Sequence, residues 1–275
     1  MNMRWFLGGI LVLVWGLPGH AEAPLKRLTL RQDVLGWEAV GRIELDARGY
    51  CTGVLIAPDI VLTAAHCLID RQGSYQTPET IRFRAGLRDG AALAETGVRR
   101  IVVHPRYDPG AADVAERIRY DAGLMQLADP IPVTTAAPFQ TSSLSDGARD
   151  LSVVSFGRGR DEALSRDENC SVVGRERGLI AFDCDVTFGS SGAPVFHRTG
   201  NRASVVSLVS TGFSGGGQRF AVGMELPQVV ADLKVALRRG GGIAWDRAKS
   251  GIVTRGKGPE SGGAKASGGA KFLRP

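Results

Sequence analysis

Short runs of β-branched and other apolar residues, separated by Gly, Pro, Asp and Asn, extend from about residue 35 to residue 224. The pattern is clearest at Ile81–Arg84, where apolar and basic residues alternate as they do in a half-buried strand. Further runs of this kind are Val54–Ile56, Ile60–Leu62, Arg100–Val103, Leu151–Phe156, Leu179–Phe182 and Val205–Val209. Many strands at short spacing predict an all-β sandwich or barrels.

The apolar spacing changes after residue 225, where a single helical stripe begins. Its members recur at i, i+3, i+4, i+7 and i+11, at Leu226, Val229, Val230, Leu233 and Leu237. Pro227 suits a first helical turn, and Arg238 and Arg239 complement the C-terminal dipole. Because three glycines follow at 240–242, we expect one C-terminal helix over residues 226–239.

The N-terminus has the pattern of a secretory signal. A basic Arg4 precedes an apolar run from Trp5 to Leu17, and the A-x-A pattern follows at Ala21–Ala23. The alternative is a membrane anchor, but the run of about 13 residues is short for a span, which needs about 20. The sequence therefore predicts a signal peptide over residues 1–23 and a secreted or periplasmic protein.

Residues 241–275 are rich in Gly and Lys and contain the tetrapeptide GGAK twice. Seven basic and two acidic residues give this segment a charge of +5, which is most of the net +6 of the chain. Such a composition cannot bury enough apolar surface to fold, so we expect a disordered tail. Weak association with anionic envelope polymers is possible by charge alone, and simple solvated disorder is the alternative.

The four cysteines are even in number and allow three pairings. The pairs closest in sequence, Cys51–Cys67 and Cys170–Cys184, are favoured, and each closes a loop of about 15 residues, worth about 3 kcal/mol in the chain-entropy model. Because no C-x-x-C spacing is present, we expect neither a zinc site nor any other metal or cofactor.

Two segments supply candidate chemistry: Thr63–Cys67, which contains His66, and Gly189–Pro194, which contains Ser191. A serine hydroxyl needs a neighbouring base to act as a nucleophile. The glycines on either side of Ser191 permit a sharp turn that presents backbone N–H groups to a developing oxyanion. Of the other histidines after the signal, His104 precedes Pro105 at the end of a predicted strand, and His197 is expected at the surface.

Together these segments resemble the trypsin-like serine proteases. Cys51–Ile56 with Val61–Cys67 is similar to the histidine region of that family, Tyr120–Leu124 to its aspartate region and Gly189–Pro194 to its serine region, in the family's order. The resemblance covers about residues 35–238. It implies a peptidase domain over residues 24–240 with two six-stranded antiparallel β-barrels, roughly 35–130 and 131–225, and the site between them.

The resemblance also implies the roles of the site residues. Ser191 would attack the scissile carbonyl and form an acyl-enzyme, His66 would take its proton, and Asp121 would hold the imidazole. The N–H groups of Gly189 and Ser191 would form the oxyanion hole, where one donor is worth about 3 kcal/mol. Asp108 and Asp113 compete with Asp121, but they lie in a loop-like stretch, whereas Asp121 precedes a plausible buried strand.

Ser190 marks a departure from the digestive members of the family. Those proteins carry at this position an aspartate that pairs with a newly released N-terminus, and this chain shows no Ile-Val-Gly-Gly start before Cys51. The ordered site is therefore not expected to depend on that ion pair, and activation by clipping within residues 24–35 stays open. The chain is more similar to the bacterial secreted branch, which includes glutamyl endopeptidase-like enzymes.

The substrate pocket is less well defined by the sequence. Asp185 lies six residues before Ser191, where members with a basic preference carry an aspartate, and the alternative is a structural role. Val209 stands where glutamate-preferring members usually have a histidine, which argues against an acidic preference. The other candidate pocket residues are Thr187, Ser210 and Gly212, of which the last two belong to a strand that would pair with substrate backbone.

The expected partner is a protein or peptide substrate of a secreted serine endopeptidase that acts as a monomer, without nucleic acid and without a membrane span. The alternative is a non-catalytic homologue that binds peptides or anionic envelope polymers. An intact set of His66, Asp121 and Ser191 favours the enzyme.

Overall fold

The computed structural model describes residues 25–46, 49–70, 72–199, 202–215 and 218–245. The predicted signal peptide and residues 246–275 of the predicted tail lie outside these ranges. Strands dominate the described chain, and each of the seven apolar runs predicted as strands overlaps one of them. The strands, in chain order, are β1 (Lys26–Arg27), β2 (Val40–Glu44), β3 (Tyr50–Ala57), β4 (Ile60–Thr63), β5 (Arg82–Ala85), β6 (Ala94–Val103), β7 (Gly123–Leu127), β8 (Leu151–Gly157), β9 (Arg160–Cys170), β10 (Val172–Glu176), β11 (Leu179–Phe182), β12 (Pro194–Thr199), β13 (Arg202–Leu208), β14 (Thr211–Gly215), β15 (Gln218–Met224) and β16 (Ile243–Ala244).

The first half of the chain forms a closed six-stranded antiparallel barrel. The strands pair in the order β5-β2-β3-β4-β7, and β6 pairs with both β5 and β7, which closes the ring. The alternation at the start of β5 follows the prediction, because Ile81 and Phe83 are fully buried whereas Arg82 is exposed. Closure leaves no free edge among these six strands.

The second half is also antiparallel, and its backbone pairing forms two sheets. One has the order β1-β9-β8-β12-β13, and the other has the order β10-β11-β15-β14. The Ser210 N–H donates to the Val222 carbonyl at 3.0 Å, which ties the segment after β13 to β15. The predicted all-β fold with a C-terminal helix is confirmed. The strand ladders of the described residues close one six-stranded ring, in the first half, and divide the second half between two sheets.

Three α-helices and one 3₁₀ turn complete the described fold. They are α1 (Ala65–Leu68), the turn Pro78–Thr80, α2 (Val114–Arg119) and α3 (Leu226–Arg238). Helix α3 matches the predicted helix within one residue, and its apolar stripe buries Leu226, Val229, Val230 and Leu233. None of these helices has the length and apolar character that crossing a membrane requires.

The first five residues of the predicted tail, 241–245, belong to the described part of the chain. Ile243 and Ala244 form β16, which pairs with Ile101 and Arg100 of β6 at the outside of the barrel. Gly242 adopts a φ of 75°, which permits the chain to turn back onto β6, and Ile243 is buried there. The composition of the segment does not reveal this long-range pairing of one apolar residue.

Both favoured disulfides are present, Cys51–Cys67 in the first half and Cys170–Cys184 in the second. The first joins β3 to α1, beside His66. The second joins the end of β9 to the segment that leads toward Ser191. Each bond therefore braces one of the two segments that carry the candidate chemistry.

Candidate active site

His66 is held at the end of the first barrel by its neighbours in sequence. It belongs to α1, the single turn that follows β4, and Cys67 anchors that turn to β3. The Asp121 carboxylate contacts His66 twice, since Oδ1 accepts from the backbone N–H at 2.9 Å and Oδ2 lies 2.7 Å from Nδ1. One carboxylate thus orients both the backbone and the ring of this residue.

Asp121 lies just before β7 and is 3% exposed. Its Oδ2 accepts a third hydrogen bond, from the Ser210 hydroxyl at 2.5 Å. Ser210 was predicted to lie in the substrate pocket, and its contact with the carboxylate was not predicted. No signal in the sequence points to it, because Ser210 lies 89 residues away and reaches Asp121 only through the packing of the two halves.

The two competing aspartates lie elsewhere. Asp113 caps α2 by accepting from the Ala115 N–H, and Asp108 accepts from the Gly110 N–H in its own loop. Gly123, two residues after Asp121, has a structural reason to be glycine. A Cβ at position 123 would overlap the Leu68 side chain, so β7 approaches α1 more closely than a larger residue would allow.

The charge of Asp121 sets the protonation of His66. Burial acts to lower the pKa of the imidazole, but the charge and hydrogen bond of Asp121 outweigh it, and the pKa of His66 is raised above 6.5. With Nδ1 donating to Asp121, Nε2 of the neutral ring is the basic atom. Nε2 is buried and has no hydrogen-bond partner among the residues that the structure describes.

Ser191 lies in a sharp turn between β11 and β12. Gly189 and Gly192 have φ angles of 94° and 75°, in the region that glycine tolerates best. The Ser191 carbonyl accepts from the Thr52 N–H at 2.9 Å, and the Gly189 carbonyl accepts from the Thr52 hydroxyl at 2.8 Å. Thr52 of β3 therefore fixes the nucleophile turn of the second half against the barrel of the first.

Some backbone N–H groups of this turn donate hydrogen bonds within the protein, and others do not. The N–H groups of Ser190, Gly192 and Ala193 donate to protein carbonyls. Those of Gly189 and Ser191 have no protein acceptor within the described ranges. The two free donors are the ones that the sequence proposed for the oxyanion hole, and an oxyanion hole needs donors that the fold has not already used.

His66, Gly189 and Ser191 line one cleft of about 730 Å³. Tyr50, Phe188 and the Cys51–Cys67 disulfide form further parts of its wall. The cleft lies between the two halves of the molecule, because His66 belongs to the first half and Ser191 to the second. An extended peptide in this cleft would pass both the candidate base and the candidate nucleophile.

The four candidate pocket residues occupy different surroundings. Thr187 lies in the turn before Ser191, Gly212 pairs with Ala221 in the β14–β15 ladder, and Ser210 contacts Asp121. The Asp185 carboxylate forms an ion pair with Arg219 of β15. None of the four lines the cleft that holds His66 and Ser191.

The histidines without an expected role are also placed. His104 is buried, stacks on Tyr120 with ring centroids 4.8 Å apart, and has its Nε2 3.4 Å from Asp232. Burial lowers its pKa. His197 lies in β12 and is half-buried.

Cys51, His66 and Cys67 form a close group of residue types that can bind metals. The two cysteines offer no free thiolate, because both sulfurs are in the disulfide.

Comparison with known proteins agrees with the fold. A family model described as the trypsin-like peptidase domain matches residues 51–206, which is more than half of the chain. The protein therefore belongs to the family of trypsin-like peptidase domains.

Individual relatives are more distant. Serine protease 56 of Homo sapiens is 34% identical over 103 residues, which are 37% of this chain and 16% of that protein. Glutamyl endopeptidase of Bacillus licheniformis is 25% identical over 160 residues, 57% of this chain and 48% of the relative. The chain thus matches less than half of the length of either relative.

Among solved structures, a Glu endopeptidase in complex with MPD superposes with a TM-score of 0.62. The match covers 78% of this chain and 97% of the other, at 18% sequence identity. At this identity the likeness establishes a shared fold. It supports the two-part β architecture that the strand pairing shows.

Proposed function

We propose that this protein is a secreted serine endopeptidase that cleaves peptide bonds with Ser191, His66 and Asp121. One observation carries the proposal: Asp121 binds the Nδ1 side of His66, and the unpartnered Nε2 belongs to a residue that lines the same cleft as Ser191. The contact between Asp121 and His66 is the pairing of orienting acid and base that an activated serine requires, and Ser191 lines the same cleft as that base.

In the proposed reaction, the neutral His66 accepts the Ser191 proton at Nε2 as the hydroxyl oxygen attacks the substrate carbonyl. Asp121 stabilises the imidazolium that forms and keeps Nδ1 protonated. His66 then gives the proton to the leaving amine, and the acyl-enzyme remains on Ser191. Water then attacks the acyl carbon as His66 takes its proton. The bond to the Ser191 oxygen breaks, His66 returns the proton to that oxygen, and the acid product leaves.

The free N–H groups of Gly189 and Ser191 would hold the oxyanion that develops during attack. These groups belong to a turn that hydrogen bonds already fix to Thr52, so little reorganisation is needed when charge develops. Preorganised donors of this kind contribute about 3 kcal/mol each to transition-state stabilisation.

Export is part of the proposal. Two disulfides suit an oxidising compartment, and the N-terminal 23 residues have the pattern of a signal peptide. The disulfides and the Bacillus licheniformis relative both suggest an extracellular protein. The basic segment after residue 245 would add, at most, a weak attraction to anionic polymers.

A basic preference through Asp185 receives little support, because Arg219 already compensates the charge of that carboxylate. Removing Arg219 would free the charge. We therefore expect a peptide library to show no strong selection for Arg or Lys before the scissile bond in the native protein. Arg219→Gln should show no such selection either, because Asp185 does not line the cleft of His66 and Ser191, and a gained preference for Arg or Lys would contradict this.

The decisive experiment is covalent labelling of the protein that lacks residues 1–23 with a fluorophosphonate probe, followed by hydrolysis of a denatured protein substrate. Ser191→Ala and a heat-denatured sample are the controls. Labelling and hydrolysis that disappear in both controls establish an activated Ser191. A folded protein that is neither labelled nor active, before and after limited proteolysis, is instead the non-catalytic homologue.

A further inference from the structure

The β8–β9 hairpin supports the nucleophile turn through a residue that no sequence motif indicates. Arg160, the first residue of β9, places its guanidinium between two segments. Nη1 lies 3.3 Å from both the carbonyl and the hydroxyl of Ser155 in β8, and Nη2 lies 3.4 Å from the Asp185 carbonyl. The residue therefore bridges β8 and the chain that leads into the turn.

Space for this guanidinium depends on a glycine. A Cβ at Gly157 would overlap both the Arg160 guanidinium and the Thr187 methyl group. The hairpin is also tied to the turn directly, because the Arg158 N–H donates to the Phe188 carbonyl at 2.8 Å. Thus the β8–β9 hairpin packs against the residues that immediately precede Ser191.

A directed chain of hydrogen bonds runs from Arg160 to the residue next to the nucleophile. The guanidinium can only donate, so the Ser155 hydroxyl accepts from it and donates to the Ser190 hydroxyl, 3.1 Å away. The Ser190 hydroxyl in turn donates to the Phe156 carbonyl at 3.2 Å and accepts from the Thr187 N–H at 3.3 Å. Arg160 Nη1, the two serine hydroxyls and the Thr187 N–H thus each have an acceptor in this series of hydrogen bonds.

The position of Arg160 is unfavourable for its positive charge. Burial lowers the pKa of Arg160, and the carboxylates of Asp185 and Asp167 offset that effect only in part. Its hydrogen-bond acceptors are neutral oxygens of Ser155 and Asp185. A half-buried charge without a directly bonded carboxylate is uncommon unless the surrounding groups use its donors.

We propose that Arg160 is a positioning residue that holds the nucleophile turn through Ser155 and Ser190, so that the Gly189 and Ser191 N–H groups converge without a newly released N-terminus. This inference rests on the proposed function, and it states which residue keeps the nucleophile turn in its active arrangement. Ser190 occupies the position where digestive relatives have an aspartate paired with a liberated amine. Here the supporting cation comes from within the folded chain, and activity requires no cleavage to supply it.

The test compares Arg160→Met, which keeps much of the length but removes all donors, with Arg160→Lys, which keeps a cation. We expect Arg160→Met to lower kcat by about 100-fold, as loss of an oxyanion donor does, with KM within about threefold. Arg160→Lys should recover at least about a tenth of the native kcat. Arg84→Met is the control, because Arg84 is similarly buried in an ion-pair cluster of the first barrel.

Two further measurements separate positioning from general stability. Ser155→Ala should lower kcat by about tenfold, and combining it with Arg160→Met should cost no more than Arg160→Met alone, because both changes break one chain. Hydrogen–deuterium exchange in residues 186–194 should be faster in Arg160→Met and unchanged in Arg84→Met. Should Arg160→Met not fold, Arg160→Lys and Ser155→Ala still carry the test.

Unchanged kcat in Arg160→Met, a lysine variant no better than the methionine variant, or additive effects in the double variant would each overturn the inference. Failure of the proposed function is distinguishable, because the native protein would then not be labelled by the fluorophosphonate probe. The exchange comparison is independent of catalysis and would still decide whether Arg160 orders the turn.

Discussion

The Ser210 hydroxyl donates to the same Asp121 oxygen that lies 2.7 Å from His66 Nδ1. Ser210 belongs to the second half of the molecule and Asp121 to the first. This hydrogen bond therefore fixes the Asp121 carboxylate of the first half to the second half. It also gives the buried Asp121 Oδ2 a hydrogen-bond donor besides the His66 ring.

Removal of this hydroxyl should weaken catalysis without abolishing it. In Ser210→Ala we expect kcat/KM to fall by about tenfold, the effect of losing one hydrogen bond to a charged group. The measurement is hydrolysis of a peptide ester and a peptide amide. Ser204→Ala is the matched control, because the Ser204 hydroxyl contacts only Ser142 among the described side chains, and its activity should equal that of the native protein. Equal losses in both variants would contradict the role of Ser210.

Asp121→Asn should produce a much larger loss. An amide cannot stabilise the imidazolium and favours the wrong tautomer, and we expect kcat to fall by about 10⁴-fold. Asp113→Asn is the control, since asparagine still caps α2 and activity should be retained. A comparable loss in Asp113→Asn would assign the acid to the wrong residue.

The pH profile of activity follows from the raised pKa of His66. The base must be neutral to accept a proton, so kcat/KM should increase with pH through a midpoint above 6.5. In Asp121→Asn the two effects that raise the pKa are gone and burial remains, so the midpoint should move to lower pH. Initial rates between pH 5 and 9 measure both midpoints. A midpoint that moves upward would show that Asp121 does not set the protonation of His66.

The two disulfides should differ in their effect on function. Replacing both cysteines of either pair with serine should cost about 3 kcal/mol of unfolding free energy, measured by denaturant titration. Loss of Cys51–Cys67 should also lower kcat under conditions where the variant is folded, because Cys67 adjoins His66 and anchors α1. Full activity and unchanged stability in that variant would contradict a structural role for the bond.

Gly192→Ala should prevent formation of the site. A Cβ at Gly192 would overlap the Thr63 hydroxyl and the Thr52 carbonyl, and its φ of 75° is unfavourable for alanine. Gly147→Ala is the control, because it has a similar φ of 70° with open space around it. We expect the control to lose about 1 kcal/mol and stay active, whereas Gly192→Ala is neither labelled by the probe nor stable. Native activity in Gly192→Ala would show that the turn does not pack closely against Thr52 and Thr63.

Several features of this protein follow from local sequence alone. The stripe of α3 is a repeat of 3.6 residues, and the alternation at Ile81–Arg84 is a repeat of two, so both could be recognised without a partner. The segment around His66 was recognised by its resemblance to the histidine region of the trypsin-like proteases, whereas the segment around Ser191 also has a local geometric reason. A turn that presents a nucleophile requires glycine at positive φ, and this requirement acts within a few residues.

Other features were decided by the tertiary structure, because they join residues that are distant in the chain. Ser210 reaches Asp121, Arg219 neutralises Asp185, and Ile243 pairs with Ile101 of β6. Arg160 is a further case, since a lone arginine after a turn has no recognisable pattern. Polar contacts of this kind depend on which surfaces the packing of the two halves brings together, whereas backbone periodicity and turn geometry depend on the neighbouring residues alone.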